Sequence, residues 1–507
     1  MSGLDPIALQ VLVGGLRAAC DEMGATLIRS AYSANIKERH DCSTALFDTA
    51  GELVMQAEHI PVHLGSMPDA VAAILGEEQR RGREWILNDP YRGGTHLPDI
   101  TLVAPVFFGA ELLGFAASRA HHADVGGPTP GSMPAFSRTL DEEGVVIPPT
   151  VADHDTLERL AAQMRSPRQR LADLRAQQAA NRVGEVRLRE LGQRLGPKAL
   201  QEGMAEILAY TERRTRAALA ELPDGTYSAE DVLEADWNGE ERDLRLRLEA
   251  TIAGEELCLD FSGSEAQVDG NLNCPLSVTK SAAFFAVRVL TDPDGPPSAG
   301  AHRPIEVLTP PGSLLNARFP AAVAAGNVET SSRVADLVLA ALSQARPGPA
   351  QGQGTMNNLT LSGNPTLAAE GFTYYETLGG GQGACPDTDG PSAIHVAMSN
   401  TLNTPTEALE AEFPLRVREL SLRAGSGGEG SRRGGDGIVR EIEALAPMRY
   451  SLITERRRHC PRGAGEGGDG APGVNLLNGS PLPGKASGNL APGDRLRLET
   501  PGGGGWT

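Results

Sequence analysis

The sequence predicts an α+β protein built from more than one domain. At 507 residues the chain exceeds the usual size of a single domain. Short alternating apolar runs bounded by turn residues predict hairpins in residues 1–152, and a charged stretch with few glycines predicts helices in residues 153–222. Glycine clusters predict a Gly-rich α+β region in residues 223–507.

The first elements are a helix and a hairpin. Asp5 is a good N-cap and Pro6 tolerates the first helical position, so the amphipathic pattern that follows predicts a helix to about Ser30. Two strand-like runs, residues 44–48 and 52–56, flank a short turn and predict a hairpin.

A second hairpin is predicted from residues 99–108 and 112–120, which are joined by Gly109-Ala110-Glu111. Facing residues in an antiparallel pair have a constant sum of positions, here about 220. Asp99 and His121 fulfil that sum, so their Cβ atoms are expected about 5 Å apart at the open end of the hairpin.

The remaining chain alternates strands and helices before its glycine-rich end. Alternation predicts strands at 244–248 and 257–261, and residues 276–291 and 330–345 are expected to be helical. No GxxxxGK[ST] phosphate-binding loop is present, so we interpret the glycines at 379–383 and 425–428 as tight β turns rather than phosphate cradles. Glycine clusters lie at 379–383, 425–437, 463–473 and 502–505.

Composition excludes several classes of protein. A net charge of −19 without a basic face argues against nucleic-acid binding. No run approaches 18 apolar residues and the N-terminus lacks a signal-peptide pattern, so we expect neither a membrane span nor secretion, but a cytoplasmic protein. The six cysteines include no CxxC pair, which disfavours a disulfide framework or a zinc ribbon.

The chemistry-bearing residues cluster in the N-terminal region, where six of the ten histidines lie between positions 40 and 122. His96 precedes Asp99 by three residues and can fold back over the end of the hairpin that carries His121. Two imidazoles and one carboxylate leave coordination positions open, as catalytic Zn²⁺, Mn²⁺ or Fe²⁺ sites do. The alternative is a hydrogen-bonded His–Asp pair that braces a loop. His122 should face the other side of the strand.

A second cluster comprises residues 38–43. Asp41 is a candidate fourth ligand or general base. Cys42 and Ser43 are candidate nucleophiles, but the sequence supplies no base and orienting group for either, and Cys42 fits equally well as a small packed residue.

Ordered stretches along the whole chain resemble the hydantoinase B/oxoprolinase family. That family includes the B-type chain of N-methylhydantoinase, the C-terminal half of 5-oxoprolinase, and related subunits of caprolactamase and of acetone and acetophenone carboxylases. The stretches that carry the resemblance are 38–48, 59–67, 88–99, 120–127, 131–133, 326–330 and 425–437.

The resemblance implies a metal held by His96, Asp99 and His121, either Zn²⁺ or Mn²⁺. With a metal there, we expect Asp41, His63 and His122 to be catalytic candidates that support the metal ligands or contact substrate. The sequence departs from the family pattern in one place: Cys42 follows Asp41 where an aromatic is common, and Thr44 occupies a position where the family often has cysteine.

The resemblance also implies a hetero-oligomer. An A-type partner with an actin-like ATPase fold uses ATP to phosphorylate a small cyclic amide, and the B-type chain then completes metal-assisted ring opening of a hydantoin, 5-oxoproline or another lactam. The alternatives are a subunit of an ATP-dependent ketone carboxylase, for which this chain is short, and a non-catalytic scaffold that binds the A-type partner.

Overall fold

The computed structural model describes residues 5–57, 60–63, 65–237, 240–363 and 371–507. Helices and several separate sheets are both present, which confirms the α+β class. The predicted domain boundaries stay a prediction.

The N-terminal region is organised around an antiparallel sheet that contains both predicted hairpins. Its strands are β1 (Cys42–Phe47), β2 (Leu53–Ala57), β3 (Trp85–Leu87), β4 (Asp99–Phe108), β5 (Glu111–His121) and β6 (Thr150–Val151). They pair in the order β2-β1-β5-β4-β3-β6. The β4–β5 hairpin therefore lies in the middle of the sheet, where neighbouring strands fix it on both sides.

Helices of 4 to 29 residues cover this sheet. They are α1 (Pro6–Ser30), α2 (Ala34–Lys37), α3 (Met67–Ala72), α4 (His154–Ala161), α5 (Pro167–Leu195) and α6 (Pro197–Ala220). The Asp5 carboxylate accepts hydrogen bonds from the first backbone amides of α1, as predicted for its N-cap. Leu16 and Met23 of α1 share one core with Leu188 of α5 and Ile207 of α6. No helix in the described part of the chain is both long and apolar enough to cross a membrane.

A second layered unit follows the helical segment. Its strands β7 (Gly225–Trp237), β8 (Glu240–Ala253), β9 (Glu256–Asp260) and β10 (Ile305–Leu308) form a sheet in the order β10-β9-β8-β7. Helices α7 (Leu276–Thr291) and α8 (Ser331–Leu342) pack together, and α8 lies on β7 and β8. A turn of π-helix, Gly326–Thr330, leads directly into α8. Such irregular turns frequently mark functional sites.

The C-terminal region contains two further sheets that share an apolar core. One has the order β12-β11-β15-β18 and the other has the order β13-β14-β19-β16-β17. The elements are β11 (Asn358–Gly363), β12 (Thr373–Glu376), α9 (Thr406–Glu412), β13 (Leu415–Arg423), β14 (Gly437–Ala444), β15 (Met448–Ile453), β16 (Val474–Leu477), β17 (Ser480–Leu482), β18 (Lys485–Leu490) and β19 (Arg495–Glu499).

The glycine clusters at 379–383, 425–437, 463–473 and 502–505 form what we call the glycine bundle, in which backbones pack directly against each other. A Cβ atom on Gly503 would lie 2.0 Å from the carbonyl oxygen of Gln382, and one on Gly434 would lie 2.0 Å from that of Gly503. Backbone hydrogen bonds join the segments, for example from the amide of Gly503 to Gly435. The interpretation of the glycines at 379–383 and 425–428 as tight turns is therefore wrong for most of them, because close approach, not turn conformation, requires them.

Candidate metal centre

The β4–β5 hairpin brings Asp99 and His121 together. The two residues are paired in the register, which confirms the sequence prediction. The constant sum of positions holds as far as Val106, and a bulge between Val106 and Phe107 adjusts the turn. The Asp99 Oδ1 atom lies 3.2 Å from the His121 Nδ1 atom.

The loop that carries His96 is held in place by two glycines. A Cβ atom on Gly93 would lie 2.5 Å from the carbonyl oxygen of Asp69, and one on Gly94 would lie 2.3 Å from that of Asn88. Gly93 also has a φ of 99°, a conformation that disfavours other residues. The loop therefore presses against α3 on one side and against the segment after β3 on the other, and this contact fixes where His96 points.

Arg119 fastens the same loop from inside the sheet. Its buried guanidinium donates to the Gly93 carbonyl at 3.1 Å, to the Thr101 hydroxyl at 2.7 Å and to the Ser66 hydroxyl at 2.6 Å. Burial lowers its pKa to about 10 although the charge of Asp99 opposes the shift. Arg119 thus remains charged at neutral pH and ties β5 to the His96 loop.

His96, Asp99 and His121 point one atom each at a common position. The His96 Nε2 atom lies 3.1 Å from Asp99 Oδ1 and 3.2 Å from His121 Nδ1. All three side chains are buried. Ligands about 2.0–2.2 Å from one Zn²⁺ ion are separated by about 3.3–3.6 Å in a tetrahedral site, slightly more than the 3.1–3.2 Å between these atoms. Both the donor set and the spacing therefore fit a divalent metal.

The surroundings of Asp99 keep its side chain ionised. Burial by itself raises the pKa of a carboxyl group, but the charge of His96 and hydrogen bonds from His121 and His63 outweigh burial and hold the Asp99 pKa well below its usual range. Asp99 is therefore a carboxylate at neutral pH. A simple His–Asp brace needs one imidazole, whereas here two imidazole nitrogens converge on one oxygen.

The other oxygen of Asp99 is held by its own set of partners. The Thr95 hydroxyl donates to Oδ2 at 2.7 Å, and the His63 Nε2 atom lies 3.4 Å from it. The His63 Nδ1 atom is 2.9 Å from the Ser43 hydroxyl. If Ser43 donates to Nδ1, the proton of His63 is on Nε2 and faces the carboxylate. Such outer contacts orient metal-ligating groups.

The predicted catalytic candidates occupy different places. Asp41 and His63 line a cavity beside Asp99 and His121. The structure does not bring His122 to this group: its Nε2 atom lies 3.0 Å from the Gln177 Oε1 atom on the other face of the sheet, and burial lowers its pKa to about 4. Its catalytic role stays a prediction. His59 lies outside the described residues.

Neither nucleophile candidate is among the residues that line the cavity. The Cys42 thiol is fully buried, and burial together with the Asp41 charge raises its pKa far above the usual range. Ser43 is fully buried and is hydrogen bonded to His63. Both residues therefore fit packing and orienting roles.

The cavity wall opposite the hairpin comes from the second half of the chain, which the sequence reasoning missed. Tyr375 stacks on the His121 ring, with centroids 4.6 Å apart and planes at 14°. A cavity of about 20 Å³ remains, room for about one water molecule. The wall residues from this half include Asn327, Met356, Tyr375, Thr377, Ser399 and Thr401.

Two residues of this wall had a signal in the sequence. Asn327 and Val328 lie in the stretch 326–330 that carries the family resemblance, but no role for either was predicted. Nothing in a single sequence links Tyr375 to His121, because the contact spans 254 residues of chain between two sheets.

An α+β chain with a buried group of two histidines and one carboxylate at the end of a hairpin is a candidate metalloenzyme. The comparison with protein families is more specific. Residues 5–507 match the model of the hydantoinase B/oxoprolinase family, and the chain belongs to that family.

Relatives and solved structures agree with this assignment. The chain is 38% identical to a 5-oxoprolinase of Dictyostelium discoideum over 99% of its own length, but it spans only 40% of that protein. It is 31% identical to the putative B-type subunit of a D-/L-hydantoinase from Pseudomonas sp., covering 99% of this chain and 90% of the relative.

Two solved structures share the fold. The ATP-dependent caprolactamase from Pseudomonas jessenii superposes with a TM-score of 0.89 at 29% identity, covering 99% of this chain and 91% of the other. Acetone carboxylase superposes with a TM-score of 0.86 at 18% identity, covering 99% and 76%. At that identity the second match shows the fold alone.

Proposed function

We propose that this chain is the B-type subunit of an ATP-dependent cyclic amidase, which opens a hydantoin, 5-oxoproline or another lactam after an A-type partner has phosphorylated it. The observation that carries the proposal is the convergence of His96, Asp99 and His121 beside a buried cavity. The similarity to a putative B subunit of a D-/L-hydantoinase supports the proposal of an A-type partner.

His96, Asp99 and His121 would hold a divalent metal, Zn²⁺ or Mn²⁺. When bound, such an ion acts as a Lewis acid and lowers the pKa of water. His63 and Thr95 keep the Asp99 carboxylate oriented through its second oxygen.

Asp41 is the proposed general base. It lines the cavity, and its backbone carbonyl accepts a hydrogen bond from the His121 amide at 3.0 Å, which ties it to the metal ligands. A carboxylate in this place can take a proton from water that attacks the ring carbon. Tyr375 closes the cavity over His121 and excludes bulk water from the reacting groups.

Phosphorylation explains why one subunit needs the other. Transfer of phosphate to the amide oxygen removes the amide resonance and leaves a phosphorylated imidate, a better electrophile than the lactam.

The described cavity is far smaller than an ordinary ligand pocket of about 300–1,000 Å³. We propose that docking of the phosphorylated intermediate with the A-type partner moves the wall and opens the cavity.

The test combines metal content with turnover. The chain is purified alone and with an A-type partner, its metal is measured by mass spectrometry, and ring-opened product and ADP are measured with 5-oxoproline, hydantoin and caprolactam. We expect stoichiometric metal and lactam-dependent ADP release. His96→Ala combined with His121→Ala should lose both, whereas the exposed control His154→Ala should lose neither.

Full metal occupancy in the double variant would refute the site. Turnover that requires bicarbonate and a ketone instead of a lactam would replace the amidase proposal with a carboxylase. Tight binding of the A-type partner without metal or turnover would favour a scaffold.

A further inference from the structure

A continuous series of hydrogen bonds joins three residues of the cavity wall through His395. The Ser399 hydroxyl lies 2.5 Å from the His395 Nδ1 atom, and the His395 Nε2 atom lies 3.1 Å from the Thr401 hydroxyl. Thr401 in turn lies 2.8 Å from the Thr377 hydroxyl. Ser399, Thr401 and Thr377 all line the cavity, so both ends of this hydrogen-bonded chain face the same space.

Arg39 occupies one acceptor position on each threonine of this hydrogen-bonded chain. One of its guanidinium nitrogens, Nη2, donates to Thr377 at 2.6 Å and to Thr401 at 3.1 Å. Since both threonine oxygens already accept from Arg39, only their own hydroxyl protons remain to be passed on. Arg39 is itself buried and anchored by a bond from Nη1 to the Tyr375 carbonyl.

His395 carries one proton under neutral conditions. Burial, and then the nearby charge of Arg39, lower its pKa to about 3, so its ring is neutral at pH 7. A neutral imidazole donates from one nitrogen and accepts at the other. His395 can therefore pass a proton through its ring by exchanging one tautomer for the other.

The protons of this hydrogen-bonded network can be arranged in two ways. Each of the four residues, Ser399, His395, Thr401 and Thr377, carries one mobile proton. Three of these protons form the three hydrogen bonds between the residues. The fourth proton lies at one end and points into the cavity, from Thr377 in one arrangement and from Ser399 in the other. The two arrangements differ by reversal of every hydrogen bond.

We propose that Ser399, His395, Thr401 and Thr377 form a proton relay that accepts a proton at one point of the cavity wall and releases one at another. This inference rests on the proposed function. It gives the ring nitrogen its own proton source during the addition of water, and Asp41 remains the base for the water proton that the relay does not carry.

Atoms and charge balance in this step. As the water oxygen bonds to the imidate carbon, one water proton passes to Ser399 Oγ, and the Ser399 proton passes to His395 Nδ1. The Nε2 proton of His395 moves to Thr401, the Thr401 proton moves to Thr377, and the Thr377 proton moves to the ring nitrogen. That nitrogen takes the electron pair of the former C=N bond. The relay keeps its charge, and water has added across the C=N bond.

The first test needs no turnover. The chain is labelled with ¹⁵N-histidine, and the His395 signals are assigned by their loss in His395→Gln. At pH 7 we expect a neutral ring with both nitrogens at intermediate shifts, because both tautomers are populated. A charged ring, or one fixed tautomer, would overturn the relay.

The second test uses the complex with the A-type partner and 5-oxoproline. Ser399→Ala and Thr377→Val should each lower kcat for ring opening by about 10²–10⁴-fold, the usual contribution of a proton-transfer group, with little change in KM. Thr377→Ser keeps the hydroxyl and should retain activity. Thr360→Val, a buried threonine that does not line this cavity, is the matched control.

The outcomes separate the two proposals. If the wild-type complex opens no lactam, the proposed function fails, and the tautomer measurement still tests the relay. If the wild-type complex is active and both hydroxyl-free variants equal it, the relay fails alone. A curved dependence of kcat on the fraction of D₂O, lost in Thr377→Val, would support transfer of several protons in one step.

Discussion

Replacement of Gly503 by alanine tests the packing of the glycine bundle. The new Cβ atom would lie 2.0 Å from the Gln382 carbonyl oxygen, 2.3 Å from the Gln382 carbonyl carbon and 2.6 Å from the Gly383 amide nitrogen. All three are backbone atoms, so no rotamer change can relieve the overlap. Ordinary contact begins near 3.4 Å, which requires a backbone shift of about 1.4 Å.

The magnitude follows from that shift. Overpacking of a core costs about 1–3 kcal/mol when side chains can adjust, so a clash among interlocked backbones belongs at or above the upper limit, about 3 kcal/mol. With about 2.1 cal/mol/K of unfolding entropy per residue, the 507-residue chain has an unfolding entropy of about 1.1 kcal/mol/K. The expected fall in Tm is therefore about 3 °C.

Differential scanning calorimetry of the purified chain measures the change. Gly14→Ala is the control: nothing lies within 4 Å of its Cβ position, and α1 should gain about 1 kcal/mol from the better helix former. A Gly503→Ala protein that melts with or above wild type would refute the claim that close backbone approach requires this glycine.

Three further predictions concern the site and its surroundings. His63→Leu removes a partner of the Asp99 carboxylate and should weaken Zn²⁺ or Mn²⁺ binding about 10–100-fold in a competition titration. Gly93→Ala should lower metal affinity because it displaces the His96 loop, whereas Gly82→Ala, with a similar positive φ but open space around it, should not. Glu329→Gln should remove a pH dependence of stability, measured by urea denaturation at pH 5 and pH 8.

The sign of the Glu329 effect follows from its environment. Burial, and then the charge of Glu455, raise its pKa to about 8, so the folded state keeps a proton that the unfolded state releases near the ordinary glutamate pKa of 4.5. Stability contributed by this proton is present below the unfolded pKa and is lost as pH rises toward 8, at about 1.4 kcal/mol per unit. An unchanged pH dependence in the glutamine variant would contradict this assignment.

Two different outcomes would contradict the predictions for His63→Leu and Gly93→Ala. A zinc or manganese titration that shows His63→Leu equal to wild type would remove His63 from the supporting set without affecting the register of Asp99 and His121. Equal loss of affinity in Gly93→Ala and Gly82→Ala would show that backbone conformation, and not the clash with Asp69, decides the position of the loop.

The sequence by itself determined the local part of this site. Facing residues of an antiparallel hairpin have a constant sum of residue numbers, so the positions of Asp99 and His121 along the chain sufficed to pair them. Apolar periodicity and Asp5-Pro6 likewise determined α1, because N-cap chemistry and helical spacing act within a few residues.

Tertiary structure alone decided the rest. Tyr375, Thr377, Ser399 and Thr401 reach the cavity only because the C-terminal sheets pack against the N-terminal hairpin, and no local rule links such distant positions. The glycine bundle shows the same limit: a Gly-rich run looks like a turn until the second backbone that crosses it is known. Contacts between distant segments depend on how whole layers pack. That packing results from many interactions along the entire chain, so no short sequence pattern reveals it.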